Sequence, residues 1–168
     1  MIDSEAVYKN IIALIESVSA DYKLFTHRIA LTYDDLEQVK QEAGFFGTEG
    51  KCMVLKSEQG FMVYITLFNR WINFDKIKEL LDIKKIRLAS KEELKESFGA
   101  EPGCAYPFGF ESTIPIYVDP IVYDQEWFLF SPAVPDKTVQ IRRSDVKKIF
   151  AALENPVNET STFNISES

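Results

Sequence analysis

The stretch "KCMVLKSEQGFMVYITLF", residues 51–68, constrains this chain more than any other. Two runs rich in β-branched and aromatic residues flank Ser57-Glu58-Gln59-Gly60, a polar tetrapeptide closed by glycine. That is the pattern of an antiparallel hairpin. A hairpin alone is barely stable in water, so other elements must cover its apolar faces. The segment "YKLFTHRIALT" reads as a short strand and loop, and "KKIRLA", "IPIYVD", "EWFLFSP" and "KTVQIRR" read as further strands between turn signals.

Helices are marked by their ends. Val7, Ile11, Ile12, Leu14, Ile15 and Val18 recur at helical spacing in residues 3–19, behind Asp3 or Ser4 as a cap. "TYDDLEQVKQEAG" has Thr32 as cap, acids in its first turn and Gly44 as its stop. "NFDKIKELLD" starts at Asn73, "SKEELKESFG" joins Ser90 to Glu93 in a capping box and stops at Gly99, and "SDVKKIFAAL" closes the order. The expectation is one mixed α/β domain over residues 1–152, with roughly six strands, helices at both ends and helices between strands. Residues 153–168 are polar and aperiodic, and are expected to be a disordered tail.

Composition narrows the chemistry. A chain of 168 residues buries enough surface to fold without a disulfide or metal. Two cysteines, Cys52 and Cys104, and one histidine, His27, supply neither a disulfide framework nor a zinc ligand set. No metal and no cofactor are expected, and a reducing cytoplasmic setting is the natural one. The acidic N-terminal stretch lacks the order of a secretory signal, and no apolar run is long enough for a membrane span.

The formal net charge of −7 argues against a general nucleic-acid binder, and DNA is not an expected partner. The charge is uneven. Eight basic residues against five acids lie between Arg70 and Lys95, and "IRRSDVKKIF" adds four against one, whereas residues 96–136 carry seven acids and no Lys or Arg. Solvated helix faces are the plainer reading of such clusters.

The segment "EPGCAYPFGF", residues 101–110, holds the candidate chemistry. Cys104 as a nucleophile would need a base or cation to lower its pKa, and the only histidine is remote in sequence. A small, semi-buried residue beside a turn is the plainer reading. In the second reading the backbone works: Gly103 can take positive φ and Pro107 holds Tyr106 extended, so that N–H groups point outward and can stabilise an oxyanion. A tight loop after a helix explains the same residues without chemistry. Lys51, at the mouth of its strand, is either a solvated charge or a cation for a phosphate or carbonyl. Ser131, where a strand meets a turn, presents its hydroxyl to a ligand or to the local backbone.

Taken in order, "YKLFTHRIALT", "GKCMVLKSEQG", "KKIRLASKEELKESFGAEPGCAYPFGF", "IPIYVDP", "FLFSPAVPDKTVQI" and "RRSDVKKI" resemble the YbaK/ProX family over about residues 20–150. These are aminoacyl-tRNA deacylases related to the editing insertion of bacterial prolyl-tRNA synthetase. The resemblance implies a barrel-like sheet surrounded by helices. It also places Lys51 on the family's lysine and "GCAYP" on its G-x-x-x-P loop, where Gly103 supplies the backbone donor and Pro107 closes the turn. Cys104, Ala105, Tyr106 and Phe108 then belong to the loop around the substrate, and His27 and Thr32 match residues near the pocket. Ser131 stands where the cysteine-editing branch has serine and the alanine-editing branch has histidine, while "VPDKT" lacks the glycine-rich run of the cysteine branch.

The implied function is trans-editing: hydrolysis of the ester of a small amino acid such as Ala, Cys or Ser mischarged on a tRNA, proline tRNA included. No side-chain nucleophile is implied. The implied partners are the 3′ end and acceptor stem of the tRNA, together with an aminoacyl-tRNA synthetase. Two other readings stand beside it: an inactive module that binds tRNA or an amino acid or serves a synthetase, and a thiol enzyme built on Cys104.

Overall fold

The computed structural model describes residues 2–165. Five helices form where the caps predict them: α1 (Ser4–Ser17), α2 (Tyr33–Ala43), α3 (Phe74–Leu81), α4 (Lys91–Phe98) and α5 (Arg143–Ala152). Thr32, Asn73 and Ser90 each accept a backbone N–H of the first turn, and Gly44 and Gly99 end their helices in the left-handed conformation. Helix α5 begins one residue earlier than its sequence suggests and has no side-chain cap; the Arg143 N–H donates instead to the Glu126 carbonyl.

The strands are β1 (Tyr22–Thr26), β2 (Thr48–Ser57), β3 (Gly60–Leu67), β4 (Ile86–Leu88), β5 (Ile116–Val118), β6 (Trp127–Phe130), β7 (Lys137–Arg142) and β8 (Val157–Glu159). They form one mixed sheet in the order β1-β7-β6-β2-β3-β5-β8, with β4 paired to β2 off this path. The predicted hairpin is β2–β3, in register from Gly50↔Leu67 to Ser57↔Gly60. A short 3₁₀ helix, Pro120–Asp124, capped by Asp119, follows β5.

Side chains alternate across the two faces. Val54, Val63, Ile65, Phe128, Phe130, Val139 and Ile141 pack with Ile11 and Ile15 of α1 and Ile149 of α5 in the main core. On the opposite face, Leu55, Met62 and Tyr64 pack with Ile77 of α3, and Leu129 packs with Val39 of α2 and Phe45.

Eight strands replace the expected six or so, and the tail is the main correction. Residues 153–165 are built into the fold rather than disordered. β8 pairs in parallel with β5, Phe163 is buried against Tyr64 and Tyr117, and Asn155 donates to the Glu111 and Ile114 carbonyls. Apolar Val157 and Phe163, spaced by polar residues, are too few to show a period, yet each meets a partner already in place. The last three residues of the predicted tail lie outside the described residues.

Candidate active site

Strand β2 changes neighbours along its length. Its start pairs with β6 at Thr48 and Glu49, and its end pairs with β4 from Leu55 to Ser57. Between these points neither strand lies beside it. Val54 accepts from the Ala89 N–H on this edge, whereas Glu49 accepts from the Phe68 N–H on the other. Main-chain groups alternate along a strand, so those of Cys52 open into the gap.

A cavity of about 310 Å³ occupies the gap. That is the lower end of the range for small-ligand sites. Its wall includes Gly50, Cys52 and Met53 of β2, Leu129 and Phe130 of β6, Leu88 at the end of β4 and Ala89 after it, and Tyr33 of α2 with its cap Thr32. Gly50 is needed here, because a Cβ at that position would collide with the Phe128 ring.

Four of the residues singled out in the sequence meet in this cavity: Thr32, Gly103, Ala105 and Ser131. Gly103 has φ +79°, the left-handed region that suits glycine, and a Cβ there would stand 3.3 Å from the Leu31 carbonyl oxygen. The Glu101 N–H donates to the Ala133 carbonyl, and the Cys104 N–H donates back to the Glu101 carbonyl, which fixes the loop.

The other loop residues support it from behind. Cys104, Tyr106 and Phe108 are buried, the Tyr106 hydroxyl donates to the Phe98 carbonyl at 2.7 Å, and its ring stacks on Phe110 with centroids 4.5 Å apart. Pro107 is buried as well. Burial, with the charges of Glu101 and Asp136 adding to it, pushes the Cys104 thiol up to about 12. Such a thiol is not a nucleophile near neutral pH.

Lys51 and His27 stand outside the cavity wall. The Lys51 ammonium donates to the Arg70 carbonyl and lies 4.5 Å from the centroid of the Trp71 ring. Desolvation lowers its pKa from the ordinary lysine value. His27 is one residue removed: its Nδ1 lies 2.7 Å from the Arg28 carbonyl and its Nε2 lies 2.8 Å from Thr138 Oγ1, and Thr138 does line the cavity. A carbonyl can only accept, so in the neutral ring Nδ1 carries the hydrogen and Nε2 accepts from the Thr138 hydroxyl. The hydroxyl's lone pairs are left for the cavity.

Thr138 and Glu49 are wall residues that sequence reading missed. Both are polar residues in strands whose two faces are buried, at 1% and 4% exposure. That pattern, a polar residue alternating with Val139 and Ile141 in "KTVQIRR", was the available signal. Tyr33, also in the wall, is pushed up to about 12 by burial first and then by its neighbours Cys52 and Glu49. Among the described residues no group of three His, Cys, Asp or Glu is placed to hold a metal ion, and no helix is long and apolar enough to cross a membrane.

With this geometry, the match of the aminoacyl-tRNA editing domain model to residues 32–149 covers the cavity and most of the sheet. The chain belongs to the aminoacyl-tRNA editing domain family. A proline–tRNA ligase of Bacillus velezensis is 33% identical over 92 residues, which are 52% of this chain and 16% of the ligase. The chain thus spans about a sixth of the length of such ligases. The multifunctional Ser/Thr-tRNA deacylase ProXp-y of Escherichia coli (strain K12) is 21% identical over 154 residues, covering 89% of this chain and 91% of that one. A crystal structure assigned provisionally to a trans-editing enzyme for prolyl tRNA synthetase superposes with TM-score 0.71 at 18% identity, over 91% of this chain and 95% of the other. That likeness carries the fold. The expected YbaK/ProX membership holds.

Proposed function

We propose that the cavity hydrolyses the ester of a small amino acid, such as Ala, Cys or Ser, mischarged on a tRNA, proline tRNA among them, and that it does so without a side-chain nucleophile. The reading is supported by one observation: Gly103 and Ala105 line the cavity beside the open edge of β2, while Cys104 between them is buried, absent from the wall and held as an unreactive thiol. Water adds to the ester carbonyl, the C–O bond to the terminal ribose breaks, and the leaving hydroxyl takes the proton. Free amino acid and tRNA are released. Backbone N–H groups of the Gly103 loop hold the oxyanion, which typically contributes about a hundred- to a thousandfold in rate. The tRNA's own terminal hydroxyl assists in activating water.

In this reading Lys51 leaves the Arg70 carbonyl to meet the terminal phosphate or to position the substrate. Exposed basic residues, Lys84 and Lys85 before β4 and Arg142 and Arg143 at the start of α5, contact the acceptor stem. The work is done in the cytoplasm, where charged tRNA is found, alone or beside a synthetase. A second aminoacyl pocket is physically reasonable, because a synthetase separates side chains differing by one methylene by only about 1–3 kcal/mol.

The test is a panel of tRNAs charged with Ala, Cys, Ser, Thr and Pro, incubated with the wild-type protein and with Lys51→Ala, Gly103→Ala and Cys104→Ala. The expected result is turnover of at least one small aminoacyl ester, lost with Lys51→Ala and Gly103→Ala and kept with Cys104→Ala. A specific observation favours one other reading: Lys51 is turned away from the cavity, as suits a module that binds without hydrolysis. No turnover on any substrate would establish that reading instead.

A further inference from the structure

Glu49 stands apart in the cavity. Among the described residues of the wall it is the sole carboxylate, and none is a lysine, arginine or histidine. It is 4% exposed. A buried carboxylate is costly unless a cation meets it. Lys40 approaches from α2, with Nζ 2.8 Å from Glu49 Oε1. That ammonium is divided, since it also meets Glu37 Oε1 at 3.3 Å and the Gly47 carbonyl at 3.0 Å. Lys40 meets Oε1 alone, and among the described residues no group donates to the second carboxylate oxygen, Oε2. The protein compensates this charge at one oxygen only, and Glu49 lines the cavity.

An aminoacyl ester brings the missing group. At neutral pH it carries a protonated α-amine two bonds from the carbonyl that reacts, and this ammonium enters the cavity with the acyl group. We propose that Glu49 binds the α-ammonium of the substrate, so that the site accepts aminoacyl groups with a free amine and discriminates against those whose amine is acylated or absent. The inference rests on the deacylase reading above and adds a specificity to it. Esters of N-formylated amino acids and of nascent peptides, which lack the charge, are spared.

The test needs isosteres that differ in charge alone. Alanyl and seryl esters on tRNA are compared with their lactyl and glyceroyl counterparts, in which a hydroxyl replaces the amine. Binding is measured in parallel by calorimetry with the non-hydrolysable 3′-alanylamino- and 3′-lactoylamino-3′-deoxyadenosines. The expected result is at least tenfold higher kcat/KM and tenfold tighter binding for the amine member of each pair. Glu49→Gln abolishes that preference and leaves the hydroxyl member within about twofold, while Glu49→Asp keeps part of it. Thermal melts check that the variants fold, and the wild-type comparison stands without them. Equal kcat/KM for amine and hydroxyl esters overturns the Glu49 assignment and leaves the deacylase reading intact. If neither ester is hydrolysed and neither analogue binds, the deacylase reading falls and the assignment with it.

Discussion

Cys104 has none of its surface exposed and a thiol held near 12, so replacing it tests packing rather than chemistry. Cys104→Ala is expected to leave deacylation within twofold of wild type and to lower stability by about 1 kcal/mol, read by urea denaturation. Thr138 is the opposite case. Thr138→Val removes the hydroxyl that satisfies His27 Nε2, a loss of about 1–3 kcal/mol for an unpaired buried group, and takes an acceptor from the cavity wall. Activity is expected to fall with it and to return in Thr138→Ser, checked by kcat/KM on the active ester. The left-handed turn at Gly103 was legible, because Gly and Pro at that spacing restrict the chain whatever surrounds it. The placement of Lys51 was not: its partners, the Arg70 carbonyl and Trp71, come from a loop that only the hairpin register brings alongside.

Among the elements, α4 joins a local signal to a measurable charge effect. Ser90 and Glu93 form the predicted capping box, and Arg87 also meets Glu93 at 2.6 Å. The Arg87 guanidinium first, then the Ser90 N–H, bring the Glu93 carboxyl from its ordinary 4.5 down to about 2. A depressed folded-state pKa stabilises above the unfolded value, so this contribution is whole above about pH 4.5 and is lost as pH falls toward 2. Glu93→Gln is expected to flatten the dependence of Tm on pH across that window. Ser90→Ala should cost about 1 kcal/mol at any pH. Caps of this kind are readable because donor and acceptor lie within one turn. The start of α5 was misread by one residue because its first N–H goes to Glu126, in the turn before β6, a partner no local pattern announces.

At the scale of the whole molecule, the closing segment ties down the region that holds Lys51. Asn164 donates to the buried Asp119 carboxylate, which also accepts from Thr66 and lies 3.8 Å from Arg70 Nε. The Asn73 N–H donates to the Phe163 carbonyl, and the Ile165 N–H donates to the Trp71 carbonyl. Phe163→Ala is expected to cost about 3–5 kcal/mol, where a disordered tail would predict no change in the denaturation midpoint. β8 was illegible because its pairing with β5 is parallel and non-local, and its three residues, Val157-Asn158-Glu159, carry no strand signature of their own. The α/β class and most strands were legible, since they follow from alternation and turns that each segment carries within itself.

The fork at β2 separates two kinds of information. On the proposed reading, main chain at Cys52 and Gly103 and the carboxylate of Glu49 meet what every aminoacyl ester has in common, whereas Met53, Leu129 and Ser131 line the space left for what distinguishes one from another. The lining can therefore be exchanged residue by residue while the strands stay where they are. A site built this way behaves as a socket with replaceable inserts, and its preference for one amino acid can drift without its chemistry being rebuilt.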